Sequence, residues 1–203
     1  MPKIVDHEER RRQIAEAVLR VTAKRGLEAA SLRDVAAEGG MSMGRVQQYF
    51  SNKDEMLVFA CAYMIERMNH RIAERIAASP RPNTWREILR NVFVEILPLD
   101  EERREGTRVW IAFLARASLQ PALMSFMRDT WIAGHRNIAD MMRAAQEHGE
   151  IPAECDPDRE TVSALSLTDG LVSHILMGHY TEEMALQAID DHLDRLFISE
   201  SSA

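Results

Sequence analysis

The sequence predicts an all-α protein of about nine helices, with a small N-terminal helix-turn-helix head followed by a larger C-terminal helical bundle. Apolar residues recur at spacings of three and four along most of the 203 residues, which is the periodicity of amphipathic helices. No segment alternates apolar and polar residues for long, so few or no strands are expected. Glycine, proline and helix-capping residues separate the helical segments from one another.

The head is predicted to contain three helices. Asp6 is a plausible N-cap of the first helix, whose apolar face ends at Gly26. Ser31 is placed to cap a short second helix, because a serine side chain accepts a hydrogen bond from the first turn. Two adjacent glycines at 39–40 end that helix, and Ser42 is placed to cap a third short helix.

Six further helices are expected in the body. Ser51 or Asn52 caps the fourth, which extends to about Ala78, where the stretch "SPRPN" interrupts the pattern. The dipeptide Asp156-Pro157 is a strong start signal, since proline fits the first helical position. The other five helices are expected over approximately 84–98, 100–120, 122–148, 157–178 and 181–197.

Charge is divided unevenly along the chain. Residues 1–53 contain three lysines and seven arginines against seven acidic residues, a net charge of +3, whereas residues 54–203 have a net charge of −10. A basic head can approach DNA phosphates while an acidic body stays away from them. We therefore predict a helix-turn-helix DNA-binding domain over 1–53 and a separate domain over 54–203; chance clustering of charge is the alternative.

Composition places the chain among cytoplasmic proteins. No apolar run approaches the ~20 residues that span a bilayer, so no membrane partner is expected. The N-terminus "MPKIVDHEERRRQ" is polar and does not resemble a signal peptide. Cys61 and Cys155 are far apart and form no CxxC pair, which fits a reducing compartment.

The third helix is predicted to present a polar face. At 100° per residue, Val46 and Phe50 lie on the buried side, with Met43 on roughly the same side. The opposite face then carries Gly44, Arg45, Gln47 and Gln48.

These residue types suit base recognition. Arginine donates two hydrogen bonds to guanine and glutamine pairs in the same way with adenine, while glycine permits a close backbone approach. Hydroxyls and N–H groups at helix starts suit phosphates. The alternative is a solvated polar face with no partner. The residues predicted to contact DNA are Ser31, Arg33, Ser42, Met43, Gly44, Arg45, Gln47, Gln48, Tyr49 and Lys53.

The stretch "SLRDVAAEGGMSMGRVQQYFSNKDEML" contains a hydroxyl at a helix start, a Gly-Met-Ser turn, a Tyr-Phe pair and an Asn-Lys-Asp start signal. With the residues before it, over roughly 8–57, it resembles the TetR family of bacterial transcriptional repressors. Gln47 stands where that family often has tyrosine, which suggests altered base or phosphate contacts there. The segments "LDEERREGTRVWIAFLARA" and "SLTDGL" are similar, more weakly, to the choline-responsive branch of the family.

The resemblance implies a homodimer whose heads bind a near-palindromic double-stranded DNA operator. It also implies that residues 54–203 form a ligand-binding and dimerisation domain, and that a small-molecule inducer releases the DNA. The weaker similarity to the choline-responsive branch does not identify the ligand, so the inducer stays unidentified.

The last two helices carry the predicted dimer interface. The stretch "VSALSLTDGLVSHILM" is apolar on most sides, and such a helix is buried on more than one side. Two such helices from each chain can form a four-helix interface about a two-fold axis; burial within one chain is the alternative. The predicted interface residues are Val162, Leu165, Leu171, Val172, Ile175, Ile189, Leu193 and Leu196.

A ligand pocket is expected among methionines and aromatic residues. Twelve methionines is a high number for this length, and flexible thioethers suit an adaptable cavity; ordinary core is the alternative. The predicted lining residues are Met64, Met68, Trp110, Phe113, Met127 and Trp131. Asp169 lies in an otherwise apolar helix, so we expect it to be paired, with a histidine or arginine or across the dimer, rather than to bind ligand.

No catalytic site, metal site or cofactor is predicted. The sequence contains no HExxH, GxSxG, GxxxxGK[ST] or GxGxxG motif. His174 and His179 would lie about 140° apart on a continuous helix, which makes them poor partners for one metal ion. The remaining alternative to a regulator is a helical binding or scaffold protein that does not contact DNA.

Overall fold

A computed structural model describes residues 3–79 and 84–198, and these residues form nine α-helices and no strand. The all-α prediction is therefore confirmed. A 3₁₀ helix at Leu27–Ala29, between the first two helices, was not expected. The helices are α1 Lys3–Arg25, α2 Leu32–Glu38, α3 Met43–Gln47, α4 Lys53–Ala78, α5 Trp85–Ile96, α6 Glu101–Ala117, α7 Pro121–Glu147, α8 Pro157–Leu176 and α9 Glu182–Leu196.

Local capping chemistry fixes several helix starts as predicted. Thr84 Oγ1 accepts a hydrogen bond from the Glu87 N–H, and Asp156 caps α8 with proline in the first turn. Asn52 rather than Ser51 caps α4, since its Oδ1 accepts from the first turn at 2.9 Å. Asp6 as an N-cap is wrong, because α1 begins at Lys3 and residue 6 lies inside the helix. Most of the "SPRPN" break lies outside the described residues.

Helix packing divides the chain into two compact units. The first contains the described residues up to Met68 together with Glu105–Asp129, and the second contains Asn69–Arg104 and the described residues from Thr130 onward. These boundaries fall inside α4, α6 and α7. These packing units do not correspond to the predicted domains. The division into a DNA-binding domain at 1–53 and a second domain at 54–203 therefore stays a prediction.

The first unit is built around one apolar cluster. Ile14 and Val18 of α1 are fully buried with Val46 of α3, Leu57 of α4 and Phe113 of α6. Removing five apolar side chains from water is favourable by about 1.5–3 kcal/mol each. This burial fixes the first three helices on a common core.

The second unit has its own apolar cluster and a buried carboxylate. Leu89 and Phe93 of α5 pack with Ile189 and Leu193 of α9. The Glu95 side chain is only 3% exposed, and a buried charge of this kind is tolerated only when it is paired. Its pairing is with arginines of α4 and α6: Arg71 Nε at 2.6 Å, Arg75 Nη2 at 3.1 Å and Arg103 Nη1 at 3.9 Å.

An ion pair between α5 and α9 makes stability depend on pH. Arg90 donates to both carboxylate oxygens of Asp190, at 2.7 and 3.0 Å. The hydrogen bond from Arg90 holds the pKa of Asp190 below its ordinary value. A carboxyl group with a lowered folded-state pKa stabilises the fold above its unfolded pKa of about 3.9, and this contribution is lost as pH falls through the lowered value.

Replacing Asp190 with asparagine is therefore expected to flatten the acid side of the stability curve. The free energy of unfolding, measured with urea between pH 6 and pH 2, should fall less steeply for Asp190→Asn than for the parent chain. Asp191→Asn is the control, because Asp191 accepts from Gln187 at 2.7 Å and contacts no arginine in the described part of the chain. Equal slopes for the two variants would contradict the assignment.

The structure also bears on membrane insertion. Within residues 3–79 and 84–198, no helix combines the length and the apolar character that crossing a bilayer requires.

Candidate nucleic-acid interface

The turn between α2 and α3 is fixed by two serine caps and two glycines. Ser31 Oγ accepts from the Asp34 N–H at 3.1 Å, and Ser42 Oγ accepts from the Arg45 N–H at 3.3 Å. Gly40 has φ of 64°, a conformation that glycine adopts without strain. A Cβ on Gly39 would lie 2.8 Å from the Met41 methyl carbon. Gly40 is therefore required by its backbone conformation, whereas a side chain at 39 would displace the flexible end of Met41.

Two buried side chains orient α3. Val46 is completely buried and Phe50 is 1% exposed. Phe50 is further held by the Arg11 guanidinium, whose central carbon lies 5.0 Å from its ring centroid and 4.2 Å from that of Phe59. A cation over two aromatic faces contributes about 0.5–1 kcal/mol where water has access. Sequence reasoning treated Arg11 only as part of the basic charge and missed this contact.

The outward face of α3 contains the residues that its helical periodicity predicts. Gly44, Arg45, Gln47 and Gln48 are all exposed, and the space around Gly44 is open. The Arg45 guanidinium makes no hydrogen bond or ion pair within the described part of the chain. It is therefore available to an external partner.

Met43 was placed on the buried side, and this is wrong. Its side chain is 44% exposed. Met43 is the first residue of the five-residue α3, so it lies at the end of the helix, while the core contacts are made from Val46 onward.

Acidic side chains pair with some of the basic side chains of this surface. Glu38 Oε1 lies 3.2 Å from Arg20 Nε and 2.9 Å from Lys24 Nζ. Asp34 accepts from the Ser31 hydroxyl and from Arg25 at 3.1 Å. The hydrogen bond from Ser31 is the main cause that lowers the pKa of Asp34. The Ser31 hydroxyl therefore already has a partner inside the protein, whereas Arg33 is exposed.

Two other predicted phosphate contacts also have partners inside the protein. Lys53 Nζ donates to the backbone carbonyl of Glu28 at 3.1 Å and thereby joins α4 to the 3₁₀ helix. Tyr49 is half-buried, and its ring centroid lies 4.8 Å from that of His7. Neither contact follows from local sequence patterns, because each joins segments that are far apart in the chain.

Comparison with known proteins decides the family. A model described as bacterial regulatory proteins of the tetR family matches residues 14–58. A model described as the C-terminal part of a BetI-type transcriptional repressor matches residues 85–198, more than half of the chain. The chain belongs to the TetR family of bacterial transcriptional regulators. The family assignment gives the chain a role in transcription regulation and not an enzymatic role.

Individual relatives agree with the TetR assignment along the whole chain. The HTH-type transcriptional regulator PksA of Bacillus subtilis is 32% identical, over 99% of this chain and 96% of that protein. A crystal structure of a TetR-family regulator from Rhodococcus sp. has a TM-score of 0.83 at 26% identity, covering 94% of this chain and 100% of that one. A Saccharomonospora viridis regulator in complex with choline has a TM-score of 0.81 at 23% identity, covering 95% and 100%. At that identity the last comparison supports the fold alone.

The predicted ligand-binding residues of this TetR protein differ in their exposure. Phe113 is fully buried and Met127 is 1% exposed, both in the core cluster of the first unit, and the partly buried Met64 and Trp110 pack against that cluster. For Phe113 and Met127, ordinary core packing is a sufficient explanation. Met68 is half-buried, and Trp131 is 49% exposed. The pocket itself stays a prediction.

The predicted dimer residues also separate into two groups. Five are already buried in their own chain, which leaves little of their surface for a second copy to cover, so their place in an interface stays a prediction: Leu171, Ile175, Ile189, Leu193 and Leu196. Val162 is 55% exposed, while Leu165 and Val172 are half-buried. Apolar periodicity indicates that a helix is buried but does not identify the chain that buries it.

Asp169 does not have the expected side-chain partner within its own described chain, and pairing across a dimer stays a prediction. Its carboxylate makes no hydrogen bond or ion pair within residues 3–79 and 84–198, and the residue is exposed. Partial desolvation on α8 raises the pKa of Asp169.

Proposed function

We propose that this protein is a ligand-responsive repressor that binds a near-palindromic operator as a homodimer and is released by a small-molecule inducer. The observation that carries the proposal is the orientation of α3. Val46 and Phe50 hold the helix on the core, and Gly44, Arg45 and the two glutamines face solvent. An anchored helix with an arginine and two glutamines outward is suited to the major groove.

The dimer is supported by an apolar surface on α8 and around the turn that follows it. Val162 is 55% exposed, Met177 is 69% exposed, and Met184 at the start of α9 is 52% exposed. Together with the half-buried Leu165 and Val172, these side chains leave apolar area in water that a second copy would cover. Two joined heads would contact half-sites one helical turn, about 34 Å, apart.

Ligand responsiveness rests on the comparisons. Residues 85–198 match the BetI-type repressor model, and a protein of the same fold has been crystallised with choline. Choline is therefore the first compound to test as an inducer. The half-exposed Trp131 is a candidate contact for a cationic ligand, because tryptophan faces attract cations.

Binding of the full-length protein to DNA from upstream of its own gene tests the proposal. Fluorescence anisotropy should show a preference for one near-palindromic site over shuffled DNA, and an affinity that falls linearly with salt on logarithmic axes. Ultracentrifugation should find two chains on each site. A helical scaffold protein would show neither sequence preference nor salt dependence, and that result would reject the proposal.

Lys53→Ala is expected to weaken binding to all DNA sequences alike and to reduce the salt slope by about 1. It should also lower the free energy of unfolding by about 1 kcal/mol, since the hydrogen bond to the Glu28 carbonyl is lost. Lys24→Ala removes the same charge from a side chain paired with Glu38 and serves as the control. A sequence-dependent loss in Lys53→Ala would instead assign Lys53 to base recognition.

A further inference from the structure

A cluster of rings lies where α8 ends, at residues that the proposed function does not use. The ring centroids of His174 and His179 are 5.1 Å apart, with an angle of 78° between the ring planes. The Tyr180 ring lies 4.6 Å from that of His174 and 4.8 Å from that of His179. We refer to these three residues as the α8 ring cluster.

The backbone at the end of α8 brings the two histidines together. The helix ends at Leu176, and Gly178 has φ of 69°. The His179 N–H donates to the His174 carbonyl at 2.9 Å, and the Gly178 N–H donates to that of Ile175 at 2.9 Å. This pair of bonds defines a Schellman motif, in which the side chain after the glycine contacts the side chain five residues earlier.

The expectation that the two imidazoles lie about 140° apart is therefore wrong. It assumed that the helix continues to Gly178, whereas the chain reverses after Leu176. A difference of two residues in the helix end converts two diverging imidazoles into neighbours.

The ring separation suits two ligands of one metal ion. An ion about 2.0 Å from a nitrogen of each ring, with tetrahedral angles, places the two centroids about 5 Å apart. The angle between the planes is unrestricted, since each ring rotates about its own metal–nitrogen bond. Nδ1 of His174 is shielded from solvent and has no hydrogen-bond partner among the residues described. A buried nitrogen of this kind needs a partner that the described residues do not supply, and either a water molecule or a metal ion can be that partner.

The other donors at this turn favour copper. Within the described ranges, no third histidine, cysteine or carboxylate completes a cluster. Met177, on the same turn, is 69% exposed and offers a thioether, and Tyr180 offers a phenol oxygen. Imidazole suits copper and thioether suits Cu⁺, while the Irving–Williams order favours Cu²⁺ over Ni²⁺ and Zn²⁺ at a given set of nitrogen and sulfur ligands.

We propose that the turn at the end of α8 binds a copper ion through the imidazoles of His174 and His179, with the Met177 thioether as an additional ligand. The two imidazole ligands are independent of the DNA-binding proposal, because neither lies on α3, whereas Met177 also belongs to the apolar surface proposed for the dimer.

Titration of the full-length, tag-free protein with Cu²⁺ tests the site. After removal of metal with a chelator, calorimetry with glycine as a competing ligand should show one copper ion per chain. His179→Ala should bind at least about tenfold more weakly, because loss of an outer-shell partner already costs 10–100-fold. His179 is exposed, so this variant should fold, and circular dichroism without metal checks that it does.

His70→Ala is the matched control, since the His70 side chain is 73% exposed and lies outside the cluster. Electron paramagnetic resonance of the Cu²⁺ complex should show two imidazole nitrogens in the parent chain and one in His179→Ala. Met177→Leu should weaken Cu⁺ binding in a competition assay. Unchanged copper affinity in His179→Ala, an equal loss in His70→Ala, or no binding at 100 µM copper would each overturn the proposal.

Discussion

Arg45→Ala is expected to remove base preference at one position of each operator half-site and to weaken operator binding by about 1–3 kcal/mol per half-site contact. Arg45 is exposed on α3 and has no partner inside the described part of the protein. The substitution therefore removes a donor to guanine without removing an internal interaction. Since alanine is the stronger helix former, the free energy of unfolding should not fall.

A set of operators that vary one base at a time provides the measurement. The parent chain should discriminate at the contacted position, and Arg45→Ala should bind all four bases there with similar affinity. Arg128→Ala is the control, because it removes the same charge from a side chain that is 65% exposed on α7. Full base preference in Arg45→Ala would show that α3 is not the helix that reads the operator.

Glu95→Gln is expected to lower the free energy of unfolding by about 3 kcal/mol, the low end of the cost of breaking a buried ion pair. The Glu95 side chain is 3% exposed and faces three arginines. The amide cannot balance their charge, and Arg103, only 15% exposed, would lose a partner. Arg71 and Arg75 are more than a third exposed and can turn toward water, which limits the loss.

Urea denaturation at pH 7 measures this effect, and Glu74→Gln provides the comparison. Glu74 is on the same helix as Arg71, is 64% exposed, and lies 3.1 Å from His70. An exposed pair contributes at most about 1 kcal/mol, so Glu74→Gln should be nearly neutral. Similar midpoints for the two variants would mean that the Glu95 cluster adds no net stability to the second unit.

Local chemistry made much of the fold predictable. Ser31, Ser42, Thr84 and Thr181 each accept the hydrogen bond of an N-cap, and capping depends on only a few neighbouring residues. The orientation of α3 also follows from local information, because a helix with 3.6 residues per turn places Val46 and the polar residues beside it on different faces.

Contacts between distant segments were not predictable from these patterns. The bond from Lys53 to the Glu28 carbonyl spans 25 residues, and the pairing of Arg71 with Glu95 spans 24. The division of the apolar residues of α8 and α9 between core and surface depends on which other helices cover them. The meeting of His174 and His179 depends on where α8 ends, and helix ends are the least certain part of a sequence-based assignment.

The five-residue α3 has its single fully buried side chain, Val46, directly between Arg45 and Gln47, both of which face water. Support and recognition are thus assigned to different positions of one helical turn. New combinations at 44, 45, 47 and 48 can redirect this protein to other operators while Val46 and Phe50 preserve the scaffold. A small library at those four codons is therefore a practical starting point for changing the operator that the protein recognises.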